Sequence, residues 1–160
     1  FLINRTKFKN LINYSSSKYK MVNEDIVVND QYTASIENKV SDKITIKNSI
    51  NFLKSNIKDS SDQLRKRPEY KFLSSVVYNN KNDSFYLTLK SVGKSFDSSI
   101  PTGNDHLDSY EVFDTFYKKK INKNNYFKLS IENIFDKKYQ KSIGFNNNDR
   151  NLNISYLTNF

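Results

Sequence analysis

A chain of 160 residues has room for one domain, and its 12 Phe and 11 Tyr argue against simple disorder despite a mean hydropathy of −0.76. The formal charge is +9, but lysine supplies most of it and asparagine is equally abundant, a bias an AT-rich genome produces without selection, so the charge is weak evidence for a nucleic-acid partner. With no cysteine, one histidine and three glycines, the chain lacks disulfides, a Cys-based zinc site, a histidine cluster and any glycine-rich phosphate loop, and no apolar run is long enough for a spanning helix.

The predicted elements are strands throughout. Lys7–Tyr14 and Asp30–Val40 come first, then the short turn Ser41-Asp42. Lys43–Leu53 is the clearest case. Ile44, Ile46, Ile50 and Phe52 share one face, with Asn48 the exception, while Lys43, Thr45, Lys47, Ser49 and Asn51 share the other. Tyr70–Tyr78, Ser84–Gly93, Tyr110–Lys120 and Tyr126–Phe135 follow with similar alternation; in the last, Phe127, Leu129, Ile131 and Phe135 oppose Lys128, Ser130 and Glu132. The final run places Leu152, Ile154, Tyr156, Thr158 and Phe160 opposite Asn153, Ser155 and Asn159.

The connections alternate in length. Ser41-Asp42, Asn79–Asp83 and Asn122–Asn125 are short and mostly rich in Asn, which tolerates a left-handed backbone. Ser55–Glu69, Lys94–Ser109 and Asp136–Asn148 are long. Short turns at one end and long loops at the other are the pattern of an outer-membrane barrel. Alternation by itself fits two architectures equally. A soluble sandwich hides its apolar faces, whereas a barrel turns them to lipid and keeps polar ones in a wet lumen.

The C-terminal strings decide between them. Asn133-Ile134-Phe135-Asp136-Lys137-Lys138-Tyr139, then Gly144-Phe145, then Asp149-Arg150 and a last strand closing on Phe160, resemble the end of TonB-dependent outer-membrane receptors. Leu64-Arg65-Lys66-Arg67-Pro68 and Ser91-Val92-Gly93-Lys94-Ser95-Phe96-Asp97 resemble the cobalamin-receptor branch of that family. The chain departs from that branch at Gln31-Tyr32-Thr33, and its last strand lacks the usual mid-strand glycine.

The resemblance implies an all-β, antiparallel transmembrane barrel, residues 1–160 supplying about eight C-terminal strands of roughly 22, with the plug and earlier strands outside this chain. It implies a non-enzymatic transporter, without cofactor, in the outer membrane of a Gram-negative bacterium. The cargo is a large scarce nutrient, cobalamin first and an iron–siderophore or haem next. The implied partners are the TonB complex through an N-terminal TonB box, the outer-membrane assembly machinery through the terminal strand, and the lipid bilayer. A small self-closed barrel with a structural or adhesin role, and a basic soluble β protein binding nucleic acid, are the alternatives.

Residue by residue, the motif positions are Asn133, Phe135, Asp136, Tyr139, Gly144, Arg150 and Phe160, with Asn133 and Asp136 expected to satisfy backbone groups at a strand-to-loop junction. Arg65, Arg67, His106, Tyr139 and Phe145 are the candidate ligand contacts from external loops. No metal site is expected: Asp97, Asp105 and Asp108 lack the spacing of a calcium loop. Ile44, Ile46, Leu129, Ile131, Ile154 and Tyr156 are expected to face lipid, and Phe160 to act as the assembly signal.

Overall fold

The computed structural model describes residues 1–15, 18–99, 103–147 and 149–158. It contains strands β1 (Leu2–Ser15), β2 (Lys20–Lys39), β3 (Ile44–Ile57), β4 (Tyr70–Asn79), β5 (Asp83–Val92), β6 (Ser95–Ser99), β7 (Gly103–Leu107), β8 (Tyr110–Lys120), β9 (Asn125–Glu132), β10 (Gln140–Ser142), β11 (Phe145–Asn146) and β12 (Asn151–Thr158). Eight of them form one antiparallel sheet in the order β1-β2-β3-β4-β5-β8-β9-β12. The other two pairs, β6–β7 and β10–β11, are small hairpins set into the long connections at one end. Neighbours in sequence are neighbours in space, so the sheet is a continuous meander of hairpins.

Partnered residues of an antiparallel ladder point to the same side, so the register sorts every side chain. One face reads Ile44, Ile46, Ile50 and Phe52 on β3, then Tyr78, Val76, Phe72 and Tyr70 on β4. It continues through Phe85, Leu87 and Leu89 to Tyr117, Thr115 and Phe113, and through Leu129 and Ile131 to Ile154 and Leu152. From Tyr70 down to Tyr78 this face carries no charged residue on β3, β4 or β5. The opposite face carries Lys47 beside Ser75, Leu73 beside Lys90, Thr88 beside Asp114, and Lys118 beside Lys128. Ile44, Ile46, Leu129, Ile131, Ile154 and Tyr156 thus fall on the apolar face, with Lys47 and Ser155 opposite.

The apolar face has no cover among the described residues: Ile154 is 63% and Tyr156 59% exposed. A sandwich would bury these side chains against a second layer, and an apolar surface this continuous is not left in water. Among the described residues, one buried apolar cluster, Val27, Ile57 and Leu64 with Leu11 against it, sits at the long-loop end. Tyr70 and Tyr78 stand eight residues apart, about 27 Å along a strand and about 19–22 Å of depth at a barrel's tilt. Aromatic rows close the band at both ends. Tyr32, Phe52 and Tyr70 lie at the long-loop end, and Tyr78, Phe85 and Tyr117 at the other.

Several boundaries differ from the sequence reading. β1 begins five residues earlier than expected and β2 ten residues earlier. Polar and apolar residues do not alternate in these extensions, so no two-residue period marks them. Lys43 lies in the turn rather than on β3, where Ser41 Oγ accepts the Lys43 and Ile44 N–H groups at 3.3 and 3.1 Å. Asn133–Phe135 leaves β9, because Asn133 takes a φ of 53° and ends the strand. Phe135 therefore leaves the alternation and stands edge-on to Phe113, 5.2 Å between centroids. The Asn-rich short turns contain no left-handed residue; in one of them Asn122 Oδ1 instead accepts the N–H groups of Asn124 and Asn125. Asn159 and Phe160 lie outside the described residues.

Candidate functional site

At the long-loop end the connections fold over the polar face, and one carboxylate ties them together. Leu64 packs on Val27 and Ile57, which turns the chain after β3 back across the sheet. Lys66 then takes a left-handed φ of 56° and donates its N–H to Phe96 O at 2.7 Å. This places Arg65 Nε 2.7 Å from Asp97 Oδ1, with the guanidinium also 5.6 Å from the Tyr14 ring centroid. Asp97 is 1% exposed and accepts two further bonds, from Ser98 N–H at 2.9 Å and Ile143 N–H at 3.0 Å. Burial pushes its carboxyl up, but the Ile143 N–H, the Arg65 guanidinium and the Ser98 N–H outweigh that and hold it below the ordinary carboxylate range. Segments around 65, 97 and 143 are thereby fixed to one another. The role of Asp97 is not legible in the sequence, where it ends a string and fails the spacing of a calcium loop, because its partners lie 32 and 46 residues away.

The C-terminal motif builds a second junction. Asn133, 4% exposed, brackets the turn: its Oδ1 accepts Lys137 N–H at 2.8 Å and its Nδ2 donates to Lys137 O at 3.1 Å. Its own N–H reaches Asp114 Oδ1 at 2.9 Å. Asp136 also has positive φ, and its Oδ1 accepts Arg150 N–H at 2.8 Å. That bond and Lys138 hold the Asp136 carboxyl low, and Lys138 also pairs with Asp149. Gly144, at φ +78°, makes the turn between β10 and β11. The motif positions thus shape backbone. Arg150 contributes its backbone N–H, and the residue itself is exposed.

A cleft of about 500 Å³ opens between the polar face and these connections. Lys66, Lys71, Lys90 and Lys141 line it, with Asp108, Tyr110 and Gln140. Lys90 is paired with Asp114 at 2.5 Å. Tyr110 and Tyr139 stack with centroids 4.0 Å apart, and Lys141 Nζ lies 5.6 Å from the Tyr139 ring. The arrangement offers cations and aromatic faces to an anionic, ring-bearing ligand. A neighbouring cleft of about 480 Å³ brings Arg67 and His106 together, beside Asp62 and Lys94. His106 is exposed and edge-on to Phe96 at 5.8 Å. Phe145 stands at the tip of the β10–β11 hairpin, 74% exposed and away from both clefts. Of the five candidate contacts, Arg65 is a brace, Arg67 and His106 share one cleft, Tyr139 flanks the other, and Phe145 stands alone. No group of His, Cys, Asp and Glu capable of holding a metal ion occurs among the described residues.

No protein-family model matches the sequence, and neither does any curated protein. Solved structures match along nearly the whole chain. The ferric-catecholate import receptor Fiu of E. coli K12 superposes with a TM-score of 0.76 at 20% identity, over 99% of this chain and 24% of its own. The ferripyoverdine receptor of the Pseudomonas aeruginosa outer membrane gives 0.76 at 17% identity, over 99% and 24%. The ferric enterobactin receptor PfeA of the same species gives 0.76 at 17%, over 96% and 28%. The fold is therefore all-β and antiparallel, like a section of the barrel wall of these receptors. The chain spans about a quarter of the length of these receptors.

Proposed function

We propose that this chain is a section of barrel wall, with its external loops, from a TonB-dependent outer-membrane importer of an iron–siderophore. The carrying observation is the division of one sheet into an apolar face, free of charge between the aromatic rows of β3, β4 and β5, and a lysine-bearing polar face, with a cationic cleft under the long connections. The apolar face suits lipid and the polar face a wet lumen. The cleft suits a ferric chelate carrying negative charge, as the neighbours described as ferric-catecholate, ferric-enterobactin and ferripyoverdine receptors support. Residues 1–160 would be the C-terminal strands, with the plug, the TonB box and the remaining strands elsewhere in the protein.

Cobalamin, the first expectation from sequence, loses its ground. The strings that suggested it are occupied with shape: Leu64 fills the small core, Arg65 braces Asp97, and Gly93 makes room for the Tyr70 ring. Such residues report loop architecture rather than cargo. The self-closed barrel also loses ground, since the sheet runs in open order from β1 to β12 with no ladder between those two strands among the described residues. The protein would be a carrier rather than an enzyme, handed to the TonB complex for energy and to the assembly machinery through its last strand.

Uptake by cells expressing the full protein tests the reading. Radiolabelled ferric catecholate, ferric hydroxamate and cobalamin are offered separately, with and without a functional TonB. Accumulation of an iron chelate that stops without TonB, and falls in Lys71→Gln/Lys141→Gln, is expected. Accumulation of cobalamin alone, or of iron regardless of TonB, would overturn it.

A further inference from the structure

The cleft under the long connections combines lysines with stacked tyrosine rings. The same combination recurs at the other end of the polar face. There the row Ser84, Lys118, Lys128, Ser155 sets two lysines directly opposite one another on β8 and β9. The next row toward the short turns adds Lys120, beside Tyr126 and Leu157. The row on the other side holds Tyr86 and Phe116, edge-on at 5.8 Å between centroids, with Ser130 and Asn153.

Like charges directly opposite each other across a ladder are destabilising. A nearby carboxylate would relieve these, but the three rows hold none, and Lys118, Lys120 and Lys128 make no ion pair among the described residues. Asp114, two rows up β8, is already taken by Lys90 at 2.5 Å and by the Asn133 N–H at 2.9 Å. Lys119 belongs to the other face, where the register sets it against Asp83. On one face of this segment lysine therefore meets a carboxylate, and on the other lysine meets lysine. The relief within the wall is a ring: Lys118 Nζ lies 4.2 Å from the Tyr126 centroid. All three lysines are half-buried, so solvent and salt screen them less than at a loop tip. The complement to this group of cations and aromatic faces is an anion.

Tyr110, in the upper cleft, and Lys118 stand eight residues apart on β8, about 27 Å along the strand and about 19–22 Å of depth. Lys118 is next to Tyr117 of the lower aromatic row, so the trio sits at the short-turn mouth of the polar face. Between the two places the lysines of this face are paired, Lys90 with Asp114 and Lys47 with Glu37.

We propose that Lys118, Lys120 and Lys128, with Tyr86 and Phe116, form a second anion site at the short-turn mouth, which takes an anionic ferric chelate after it leaves the upper cleft. The inference rests on the iron-chelate reading of that cleft and deepens it: binding is assigned to the upper lysines and exit to the lower ones.

Two measurements test it. The purified full receptor carrying Ser155→Cys, opposite Lys128, is treated with anionic and cationic methanethiosulfonates of similar size. The anionic reagent should react faster, and Lys118→Gln/Lys128→Gln should cut that preference about fivefold or more. In cells with a working TonB complex, and at equal surface level, Lys118→Gln/Lys128→Gln should bind radiolabelled ferric tris-catecholate with a Kd within about twofold of wild type. Its TonB-driven uptake should fall about fivefold or more, and Lys118→Arg/Lys128→Arg should restore it. No anion preference at Ser155→Cys would show that a carboxylate from elsewhere in the protein fills the site, and would overturn the proposal. Unchanged uptake, or a Kd that weakens in step with uptake, would overturn it as well. Wild-type cells that neither bind nor import the chelate would refute the reading of the upper cleft and the exit site with it, whereas normal binding with unchanged uptake refutes the exit site alone.

Discussion

The Arg65–Asp97 brace makes the sharpest demand on the structure. Arg65→Ala leaves a carboxylate that is 1% exposed without its cation. Removing one partner of a buried ion pair costs about 3–5 kcal/mol. The lower end applies here, because Asp97 keeps the Ile143 and Ser98 N–H groups and Arg65 is itself 31% exposed. A loss of about 3 kcal/mol is a factor of roughly 100 in a local opening equilibrium. Hydrogen exchange on the detergent-solubilised full protein reads it directly. Amides of β6, β7 and the segment near Ile143 should lose roughly 100-fold protection, while those of β3, β4 and β5 stay unchanged. Adding Asp97→Ala to Arg65→Ala should restore part of the loss, since the stranded charge is gone. Loss spread evenly over the sheet would show that the pair holds the wall and not the loops, and a change under threefold would show that it holds neither.

Leu129→Arg, near the middle of the apolar face, should cost about 2–4 kcal/mol in folding titrations into bilayers, whereas Ser130→Arg on the polar face should cost far less. Gly93→Ala places a methyl 2.8 Å from the Tyr70 ring and 3.1 Å from its backbone nitrogen, so it should destabilise by about 1–3 kcal/mol, with Gly93→Ala/Tyr70→Ala recovering part of it. Asn133→Gly keeps the left-handed backbone but removes the bracket on Lys137, and should cost about 1–3 kcal/mol; Asn133→Ala should cost more, because the φ of 53° is then strained. The folded-state pKa of Asp97 is depressed, so its stabilisation is complete above the ordinary carboxylate value of about 3.9 and disappears as pH falls through the lower folded value. Protection of the Ile143 amide, corrected for intrinsic exchange, should therefore stay level from neutral pH down to about 5 and collapse only below about 4.

The sheet was readable from the chain because two-residue periodicity survives wherever the two faces meet different media. Lys43–Leu53 and Tyr126–Glu132 alternate for that reason, and the register places their apolar sets together. The same physics hid the rest. Leu2–Thr6 and Lys20–Asn29 are strands in which polar and apolar residues do not alternate, although Ile3 falls on the apolar face, so no two-residue period marks them. The β6–β7 and β10–β11 hairpins are too short to show a period. The site was legible only as a location. Arg65, Arg67 and His106 lie at the long-loop end, but whether a basic residue braces or displays its charge depends on a partner distant in sequence. Arg65 has Asp97; Lys71 and Lys141, which line the cleft, were not singled out, since one lysine among many carries no mark of its position.

The two edges of the sheet connect the fold to its setting. β1 and β12 each present a row of backbone donors and acceptors that no described strand satisfies. In water such edges invite aggregation, and in hydrocarbon each unsatisfied group costs several kcal/mol. The apolar face extends to both edges, through Ile3 on β1 and through Leu152, Ile154 and Tyr156 on β12. A sheet whose apolar face needs lipid cannot also leave its edges open there. On the proposed membrane reading, eight strands in open order would need further strands to complete the ladder, whereas a self-closed barrel of the same eight would need β1 against β12. The superposition points the same way: nearly all of this chain lies along about a quarter of the length of each of those larger receptors.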